Sequence, residues 1–508
     1  MATKKIKSAL ISVFHKEGLQ PIVEELHRQG VTIYSTGGTQ AAIEALGVPV
    51  ERVEDLTSYP SILDGRVKTL HPKVFGGILA RREDDHLAQL KQYEIPTIDL
   101  VIVDLYPFEK TVATTNDEAT IIEKIDIGGI ALIRAAAKNY QDVVIVPSQA
   151  EYDLLLETLK AKDGATDLSD RAEFARRAFQ VSSHYDTAIY QYFNRDAQAP
   201  TFKQSIQESR VLRYGENPHQ AGYFHGPLED LLVQLNGKAL SYNNLVDIDA
   251  AIGILAEFHT GDPAFAVLKH TNPCGVAVRP TLLEAWKDAL AGDPVSAFGG
   301  ILICNRPVDL ATAQEINELF YEVLIAPAFE EDALALLSAK KKRILLELKS
   351  WDIPNRSFRR LLNGVIEQET DLKMETVEDF QQATNKAPTV AEMEDLVFAN
   401  KCAKHLKSNT IALVKGQQLI GMGCGQTSRV DALKQAIIKA KAFGFELEGA
   451  VMASDAFFPF PDCVEIAHQA GITAVVQPGG SIRDKDSINY CDENGLAMVL
   501  TGTRHFRH

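Results

Sequence analysis

One stretch decides how the C-terminal half of the chain is interpreted: Val267-Leu268-Lys269-His270-Thr271-Asn272-Pro273-Cys274-Gly275. The apolar run Ala264–Leu268 predicts a buried strand, and the Asn-Pro pair and the glycine after it indicate a turn. Neighbours on a strand point to opposite faces. If Lys269 and His270 serve one site, the backbone must therefore turn between them or just after them. Taken alone, a solvated lysine and a hydrogen-bonded histidine are the commoner explanation of such a pair.

The composition is that of an ordinary globular protein, with 45% hydrophobic and 24% charged residues in 508. This length predicts roughly two to four domains. The net charge of −16 argues against non-specific binding to nucleic acid or anionic membrane, since both require a positive surface. No segment is long and apolar enough to span a bilayer, and no apolar signal core follows the N-terminus. Six cysteines without a Cys-x-x-Cys pair indicate free thiols in the cytoplasm.

The N-terminal part alternates strands and helices, which predicts a mainly parallel sheet covered on both faces. Strand Val31–Tyr34 runs into the glycine-rich turn Ser35–Thr39, and a helix is predicted from Gln40. This layout presents backbone N–H groups to an anion, although a plain turn explains so short a match equally well. Polar clusters follow the other strands too, in Asp64–Pro72 and Ile125–Gly129. A ligand site is expected at these strand ends.

The C-terminal part contains two similar arrangements. A helix Leu282–Ala291 and a strand Ile301–Cys304 are predicted there, and Ser296–Ile301 and Asp455–Phe460 stand at comparable points after a strand and a helix. We interpret them as two related subdomains, and the residues from 330 to 392 between them as a connecting segment. The polar stretch 194–207 contains a proline and marks the domain boundary. The predicted domains are 1–197 and 198–508, with subdomains at about 198–365 and 366–508.

His270 and Cys274 raise the alternative of a zinc-dependent deaminase. That class also requires a Pro-Cys-x-x-Cys pair, which the chain lacks. A zinc site needs at least three protein ligands. We therefore predict no catalytic metal.

Together the motifs resemble the family of bifunctional purine biosynthesis proteins. This family joins a formyltransferase acting on phosphoribosylaminoimidazolecarboxamide (AICAR) to IMP cyclohydrolase. The resemblance covers essentially the whole chain, and its motifs occur in the family's order: Ser35–Thr39, Gly65–Pro72, Leu105–Phe108, Asp126–Gly129, Arg134–Asn139, Arg213–Gln220, Lys269–Gly275, Ser454–Phe460 and Arg504–His508.

The resemblance implies an α/β protein. Its N-terminal domain would be a doubly wound parallel sheet like methylglyoxal synthase, and its C-terminal transformylase would consist of two cytidine-deaminase-like subdomains. The formyl group of 10-formyltetrahydrofolate, a co-substrate, passes to AICAR to give FAICAR, which then closes to IMP. The family also implies a homodimer with transformylase sites across the interface, and leaves open whether a structural monovalent cation is bound.

For formyl transfer, the resemblance implies roles for a set of polar side chains. The amine of AICAR is a poor nucleophile and must lose a proton as it attacks. His270 is the implied base, and Lys269 stabilises the oxyanion or protonates the leaving nitrogen. His219 and Asn409 orient them. The implied AICAR contacts are Arg213, Tyr214, Phe298, Gly299, Glu322, Arg504 and His508. The implied folate contacts are Arg429, Phe457, Phe460 and Asp462.

For ring closure, the carboxamide nitrogen attacks the formyl carbon and water leaves. A tyrosine and an aspartate can pass protons while lysines stabilise the oxyanion. The implied catalytic set is Lys68, Tyr106, Asp126 and Lys138. The implied nucleotide contacts are Ser12, Lys16, Ser35, Thr36, Gly37, Thr39, Arg66 and Thr69.

Two departures from the family pattern fall in this half. Phe14 and His15 stand where the family has Ser-Asp, and Asp104 stands where it has Asn. Phe14 removes a hydroxyl near the phosphate, and Asp104 adds a negative charge near the substrate. On this reasoning, Asp104→Asn should leave the rate of ring closure equal or raise it.

Three alternatives remain at this point. In the first, only the formyltransferase works, and the N-terminal domain is a nucleotide-binding or structural module. The chain is a nucleotide sensor without turnover, against which the intact Lys269-His270 pair counts. The weakest alternative is the zinc deaminase.

Overall fold

The computed structural model describes residues 3–63, 66–197 and 201–508. The chain folds into two compact units, Met1–Gln207 and Glu208–His508. Asp64 and Gly65 of the predicted motif lie outside the described residues, as does residue 198, where the second domain was predicted to begin. The domain limit at 197/198 stays a prediction.

The first unit contains the predicted parallel sheet. Five strands lie in the order β4-β3-β2-β5-β6 and every neighbouring pair is parallel, while β1 and β7 form a separate antiparallel pair. Strands β2, β5 and β6 are almost wholly buried, as expected of a sheet covered on both faces. The strands are β1 (Lys4–Lys5), β2 (Ser8–Ser12), β3 (Thr32–Ser35), β4 (Glu51–Arg52), β5 (Leu100–Val103), β6 (Val144–Val146) and β7 (Ala165–Thr166).

The helices of this unit follow the strands, as the alternating pattern predicts. Proline is the second residue of α1 and the first of α4, positions where its missing N–H costs no hydrogen bond. The helices are α1 (Gln20–Arg28), α2 (Gly37–Glu44), α3 (Val53–Thr57), α4 (Pro72–Leu79), α5 (Asp84–Gln92), α6 (Phe108–Thr114), α7 (Glu118–Ile122), α8 (Gly128–Lys138), α9 (Tyr152–Ala161) and α10 (Leu168–Ala197).

The second unit contains two six-stranded sheets of the same topology. Their orders are β10-β15-β14-β13-β11-β12 and β18-β23-β22-β21-β19-β20, and corresponding pairs agree in being parallel or antiparallel. The expected pair of related subdomains is thereby confirmed. The strands are β8 (Ser209–Val211), β9 (Tyr223–His225), β10 (Leu232–Asn236), β11 (Ala264–Lys269), β12 (Asn272–Val278), β13 (Ile301–Cys304), β14 (Val323–Ala326), β15 (Ile344–Leu348), β16 (Arg356–Leu361), β17 (Gly364–Glu369), β18 (Gln381–Gln382), β19 (Ile411–Val414), β20 (Leu419–Gly423), β21 (Val451–Ser454), β22 (Ala474–Gln477) and β23 (Ala497–Leu500).

Helices cover both sheets, and one core cluster includes side chains of both copies. Four of the helices, α12, α13, α16 and α17, follow a serine or threonine whose side chain accepts a backbone N–H, the usual N-cap. The helices are α11 (Leu228–Leu231), α12 (Tyr242–Ala256), α13 (Leu282–Ala291), α14 (Leu310–Glu318), α15 (Glu331–Ser338), α16 (Val390–Lys404), α17 (Arg429–Ala442), α18 (Asp462–Gln469) and α19 (Asp484–Asn494).

The interpretation of residues 330–392 as a connecting segment is wrong. This region supplies β15 to the first sheet and β18 to the second, together with the hairpin β16–β17. The predicted subdomain limit at 365/366 falls inside β17. The polar composition misled the prediction because every residue of the hairpin strands is exposed.

Candidate active sites

A cavity of about 540 Å³ lies at the carboxyl ends of β2, β3 and β5 in the first unit. This is where ligands bind in parallel α/β sheets. Every residue that the sequence implied for ring closure lines it except Ser35, Gly37 and Lys138. The implied residues in its wall are Ser12, Lys16, Thr36, Thr39, Arg66, Lys68, Thr69, Tyr106 and Asp126.

The hydroxyls just before and at the start of α2 are engaged in structural bonds. Ser35 donates to the carbonyl of Ile11 at 2.7 Å, and Thr39 donates to that of Val13 at 2.9 Å. Thr36 caps α2 without a side-chain hydrogen bond to the helix. The hydroxyl of Thr36 donates instead to Glu54 Oε1 at 2.6 Å. All three hydroxyls are therefore engaged, and the first turn of α2, whose Gly38 and Thr39 line the cavity, has backbone N–H groups to offer an anion.

Asp126 and Tyr106 both hold their protons more tightly than usual. Burial raises the pKa of Asp126, and the nearby Asp104 adds to this effect. Burial, then the charge of Asp126, raises the pKa of Tyr106. The N–H of Gly129 donates to Asp126 Oδ1 at 2.6 Å and fixes the carboxylate. Both side chains line the cavity.

The lysines differ in position. Burial lowers the pKa of Lys16; the charges of Asp104 and Glu17 partly oppose this, and that of Lys68 adds to it. Lys68 Nζ also lies 3.5 Å from where a Cβ on Gly37 would be, so Gly37 allows close approach. Lys138, at the end of α8, lines other cavities, beside residues such as Arg81 and Arg171. The structure does not bring Lys138 to the cavity with Lys68.

Asp104 is not a free negative charge. Its carboxylate accepts the backbone N–H groups of Phe14 and of His15, the latter at 3.0 Å, and lies 2.6 Å from His15 Nδ1. Asp104 therefore holds the loop after β2. Phe14 and His15, which also differ from the family pattern, are the residues that it holds. The expectation that Asp104→Asn would be harmless rested on an unpaired charge and is revised.

Sequence reasoning missed two further residues of this site. Glu123 lines the cavity and forms an ion pair with Arg66. Lys124 Nζ lies 5.7 Å from the ring centroid of Phe14 and 5.6 Å from that of Tyr106. Both stand just before the Asp126 motif, and their charge was the only available signal.

In the second unit, Lys269 and His270 lie where β11 turns into β12. Lys269 pairs with Asn272 across the turn, and His270 and Thr271 have φ of 52° and 64°. The backbone thus turns just after Lys269. Such a turn was the condition for Lys269 and His270 to serve one site. Lys269 Nζ donates to the carbonyl of Phe298 at 2.8 Å, which brings an implied catalytic group to an implied AICAR contact.

A second cluster forms on the other copy of the sheet. Arg429 is buried and donates to Asn409 Oδ1 at 3.0 Å, to Asp455 at 2.8 Å and to the carbonyl of Phe457 at 3.3 Å. Three implied residues are thus brought together. Asp455 also accepts the hydroxyl proton of Ser408; it lies in the Ser454–Phe460 motif, but the sequence did not predict it as a site residue.

The C-terminal tail alternates between inward and outward side chains. His505 is buried and lies between Asp371 at 2.6 Å and Glu375 at 3.0 Å. Burial alone would lower the pKa of His505, but these carboxylates raise it to about 9. Arg504, Phe506 and His508 are exposed. Arg504 lies 4.3 Å from the ring centroid of Phe506, which lies 5.8 Å from that of His508.

Other implied residues have neighbours outside these clusters. Arg213 lies over Tyr214 at 5.4 Å, Glu322 forms an ion pair with Lys238, and Phe460 lies under Arg483 at 5.0 Å. Gly299 has a φ of 74° and donates its N–H to the carbonyl of Phe320. Across the chain except residues 1–2, 64–65 and 198–200, no hydrogen bond joins His219 or Asp462 to Lys269 or His270.

Two other kinds of feature are absent from the described ranges. No group of three or more histidine, cysteine, aspartate or glutamate side chains there could hold a metal ion. No described helix is long and apolar enough to cross a membrane.

Comparison with known proteins places the chain in one family. The model of the AICARFT/IMPCHase bienzyme matches residues 136–439, and that of the MGS-like domain matches residues 18–131. The bifunctional purine biosynthesis protein PurH of Bacteroides thetaiotaomicron is 60% identical over 507 residues, which cover 100% of this chain and 99% of the relative. Those of Acetivibrio thermocellus (47%; 99% and 100% covered) and Chlorobium chlorochromatii (45%; 100% and 100% covered) are also similar. The chain therefore belongs to the AICARFT/IMPCHase bienzyme family and catalyses the last two steps of IMP synthesis, formyl transfer to AICAR and ring closure of FAICAR.

Proposed function

We propose that FAICAR closes to IMP in the cavity of the first unit. The observation that carries this proposal is the meeting of Lys68, Tyr106 and Asp126 in one cavity at the strand ends. Asp126 and Tyr106 pass the protons of the attacking nitrogen and the departing water. Lys68 stabilises the oxyanion that forms at the formyl carbon.

The nucleotide phosphate binds at the start of α2 in this proposal. The N–H groups of Gly37 to Thr39 supply hydrogen bonds and the positive end of the helix dipole. Lys16 and Arg66 supply charge, and Ser12, Thr36 and Thr69 line the same cavity. Ser35 contributes through its backbone, since its hydroxyl is bonded to Ile11.

Formyl transfer takes place at the turn between β11 and β12. His270 accepts the proton of the AICAR amine as the nitrogen attacks the formyl carbon of 10-formyltetrahydrofolate. Lys269 stabilises the oxyanion or protonates the leaving folate nitrogen. The contact of Lys269 with Phe298 supports this assignment. It places the ammonium group of Lys269 beside a residue that, by the family pattern, contacts the imidazole ring of AICAR.

The remaining assignments follow the family pattern. His219 and Asn409 orient the reacting groups, while Arg213, Tyr214, Gly299, Glu322, Arg504 and His508 bind AICAR. Arg429, Phe457, Phe460 and Asp462 bind the folate; the cluster around Arg429 supports the first two. We also propose a homodimer, with transformylase sites across its interface, that works in the cytoplasm. All six cysteines are free, which is consistent with that compartment.

Two single variants test the division of labour. Lys68→Met should stop IMP formation from supplied FAICAR and leave formyl transfer to AICAR intact, whereas Lys269→Met should do the reverse. If Lys68→Met retains full ring closure, the cavity is not where the ring closes. If wild-type protein converts AICAR to FAICAR but never to IMP, the first unit only binds nucleotide.

A further inference from the structure

The turn that carries His270 has an equivalent in the second copy of the sheet. His270 and Thr271 join β11 to β12 with φ of 52° and 64°. Gly416 and Gln417 stand at the same place between β19 and β20, with φ of 58° and 53°. Positive φ at both central residues is the geometry of tight hairpin turns, and it matches the twist of the strands.

One aspartate holds each turn from an equivalent helix. Asp247 in α12 accepts the N–H of Thr271 at 2.8 Å. Asp395 in α16 accepts the N–H groups of Gly416 at 2.7 Å and of Gln417 at 2.5 Å. Each aspartate is the sixth residue of its helix. The same device therefore occurs in both copies, although only the first carries Lys269 and His270.

The first turn depends on its aspartate more than the second does. Residues with a Cβ are disfavoured at positive φ, and a β-branched residue such as Thr271 is strongly so. The second turn has Gly416 at one of its two positions, whereas the first has no glycine. Burial raises the pKa of Asp247, while the N–H of Thr271 and the nearby His270 favour its charged form. The geometric contact of this carboxylate with the turn is its hydrogen bond with the N–H of Thr271.

We propose that Asp247 is a positioning residue for formyl transfer, because it holds the backbone from which the imidazole of His270 projects. The side chain of His270 is exposed, and no side chain in the described ranges forms a hydrogen bond with its imidazole. The direction of the imidazole is therefore set by the turn. The proposal rests on the proposed role of His270.

The second copy supplies a matched control. Asp247→Asn and Asp395→Asn are the same change at the same place in the same kind of turn. Asp247→Asn should lower kcat of formyl transfer about tenfold or more, as expected when a reacting group is displaced by about 1 Å. The KM for AICAR should change little, and ring closure of FAICAR should be unaffected. Asp395→Asn should leave kcat of formyl transfer unchanged even where it lowers the unfolding temperature.

Equal effects of the two variants on kcat, or no effect of either, would overturn the proposal. If Asp247→Asn does not fold, the double variant with Thr271→Gly lowers the steric cost of the turn while its N–H stays unheld. Wild-type kcat in that folded double variant would also count against positioning. His270→Gln separates the two ideas. If it retains formyl transfer, the proposed role of His270 fails; if it abolishes transfer while Asp247→Asn does not, only the positioning proposal fails.

Discussion

Asp104→Asn should slow ring closure, because the carboxylate of Asp104 holds the loop after β2. One carboxylate oxygen accepts the N–H of Phe14, and the other lies against the N–H and the ring nitrogen of His15. Whichever way an asparagine amide is turned, its NH₂ group faces at least one N–H donor. The side chain of Asp104 is only 5% exposed, so water cannot replace the lost acceptor.

The magnitude follows from the unpaired donor. A buried donor left without a partner costs about 1–3 kcal/mol, and about 2 kcal/mol corresponds to about 30-fold in rate if the loop must be in place for reaction. The loop carries Phe14, whose ring lies 5.4 Å from that of Tyr106. We therefore expect IMP formation from supplied FAICAR to fall about 10- to 30-fold. Formyl transfer in the other unit serves as the internal control.

A double-mutant cycle tests the pairing itself. His15→Asp alone should be more harmful than Asp104→Asn, since it places two carboxylates together. In the combined variant, the amide introduced at position 104 can donate to the new carboxylate at position 15 while its oxygen accepts the N–H of Phe14. The activity should recover from that of His15→Asp toward that of Asp104→Asn, with a coupling energy of about 1–3 kcal/mol, but stay below wild type because the N–H of residue 15 still lacks its acceptor. Wild-type ring closure in Asp104→Asn, or simple addition of the two losses, would refute the reasoning.

Three further outcomes are expected. Asp126→Asn should abolish IMP formation yet raise the unfolding temperature at neutral pH, because the raised pKa of Asp126 means that its charged form is destabilised in the folded protein; a lower unfolding temperature would contradict this. Gly129→Ala should impair ring closure but not formyl transfer in paired assays, since its Cβ would lie 2.8 Å from Asp126 Oδ2. The pKa of His505 is raised from the usual 6.5 to about 9. The stabilisation of the folded tail by protonated His505 is therefore complete below about pH 6.5 and is lost as pH rises through 9. The KM for AICAR in formyl transfer should rise over that interval, and His505→Gln should remove this pH dependence; an unchanged profile would show that the tail is held otherwise.

Periodicity predicted the elements that depend only on local sequence. Helix Leu282–Ala291 and strand Ile301–Cys304 have the predicted bounds. The helix predicted from Gln40 begins instead at Gly37, because glycine is poor but allowed in a first turn, where local propensity decides little. Two of the strands in residues 330–392 were missed because β15 and β18 pair with β10 and β23, which are far away in sequence and leave no local pattern. The hairpin β16–β17 is local, but it was missed because its exposed residues show no apolar pattern.

The site residues divide in the same way. The family pattern led to nearly all polar residues of the ring-closure cavity, because each lies in a short motif at a strand end. It could not show that Asp104 and His15 contact each other, since they are 89 positions apart. Asp247 carried no signal either, because its partner is a backbone N–H, which every residue but proline has.

The C-terminal tail shows how an extended segment can separate anchoring from recognition. Alternate residues of an extended chain point to opposite sides, and here His505 points inward while its neighbours Arg504 and Phe506 are exposed. The side chain of His505 is held by the carboxylates of Asp371 and Glu375. Its backbone N–H donates to the carbonyl of Asp455 at 3.1 Å. Asp455 also binds Arg429, so the tail and the proposed folate contacts share one support. A substitution of the buried His505 should therefore weaken AICAR binding although His505 itself does not contact AICAR. A substitution of Arg504 should also weaken AICAR binding but leave the unfolding temperature unchanged.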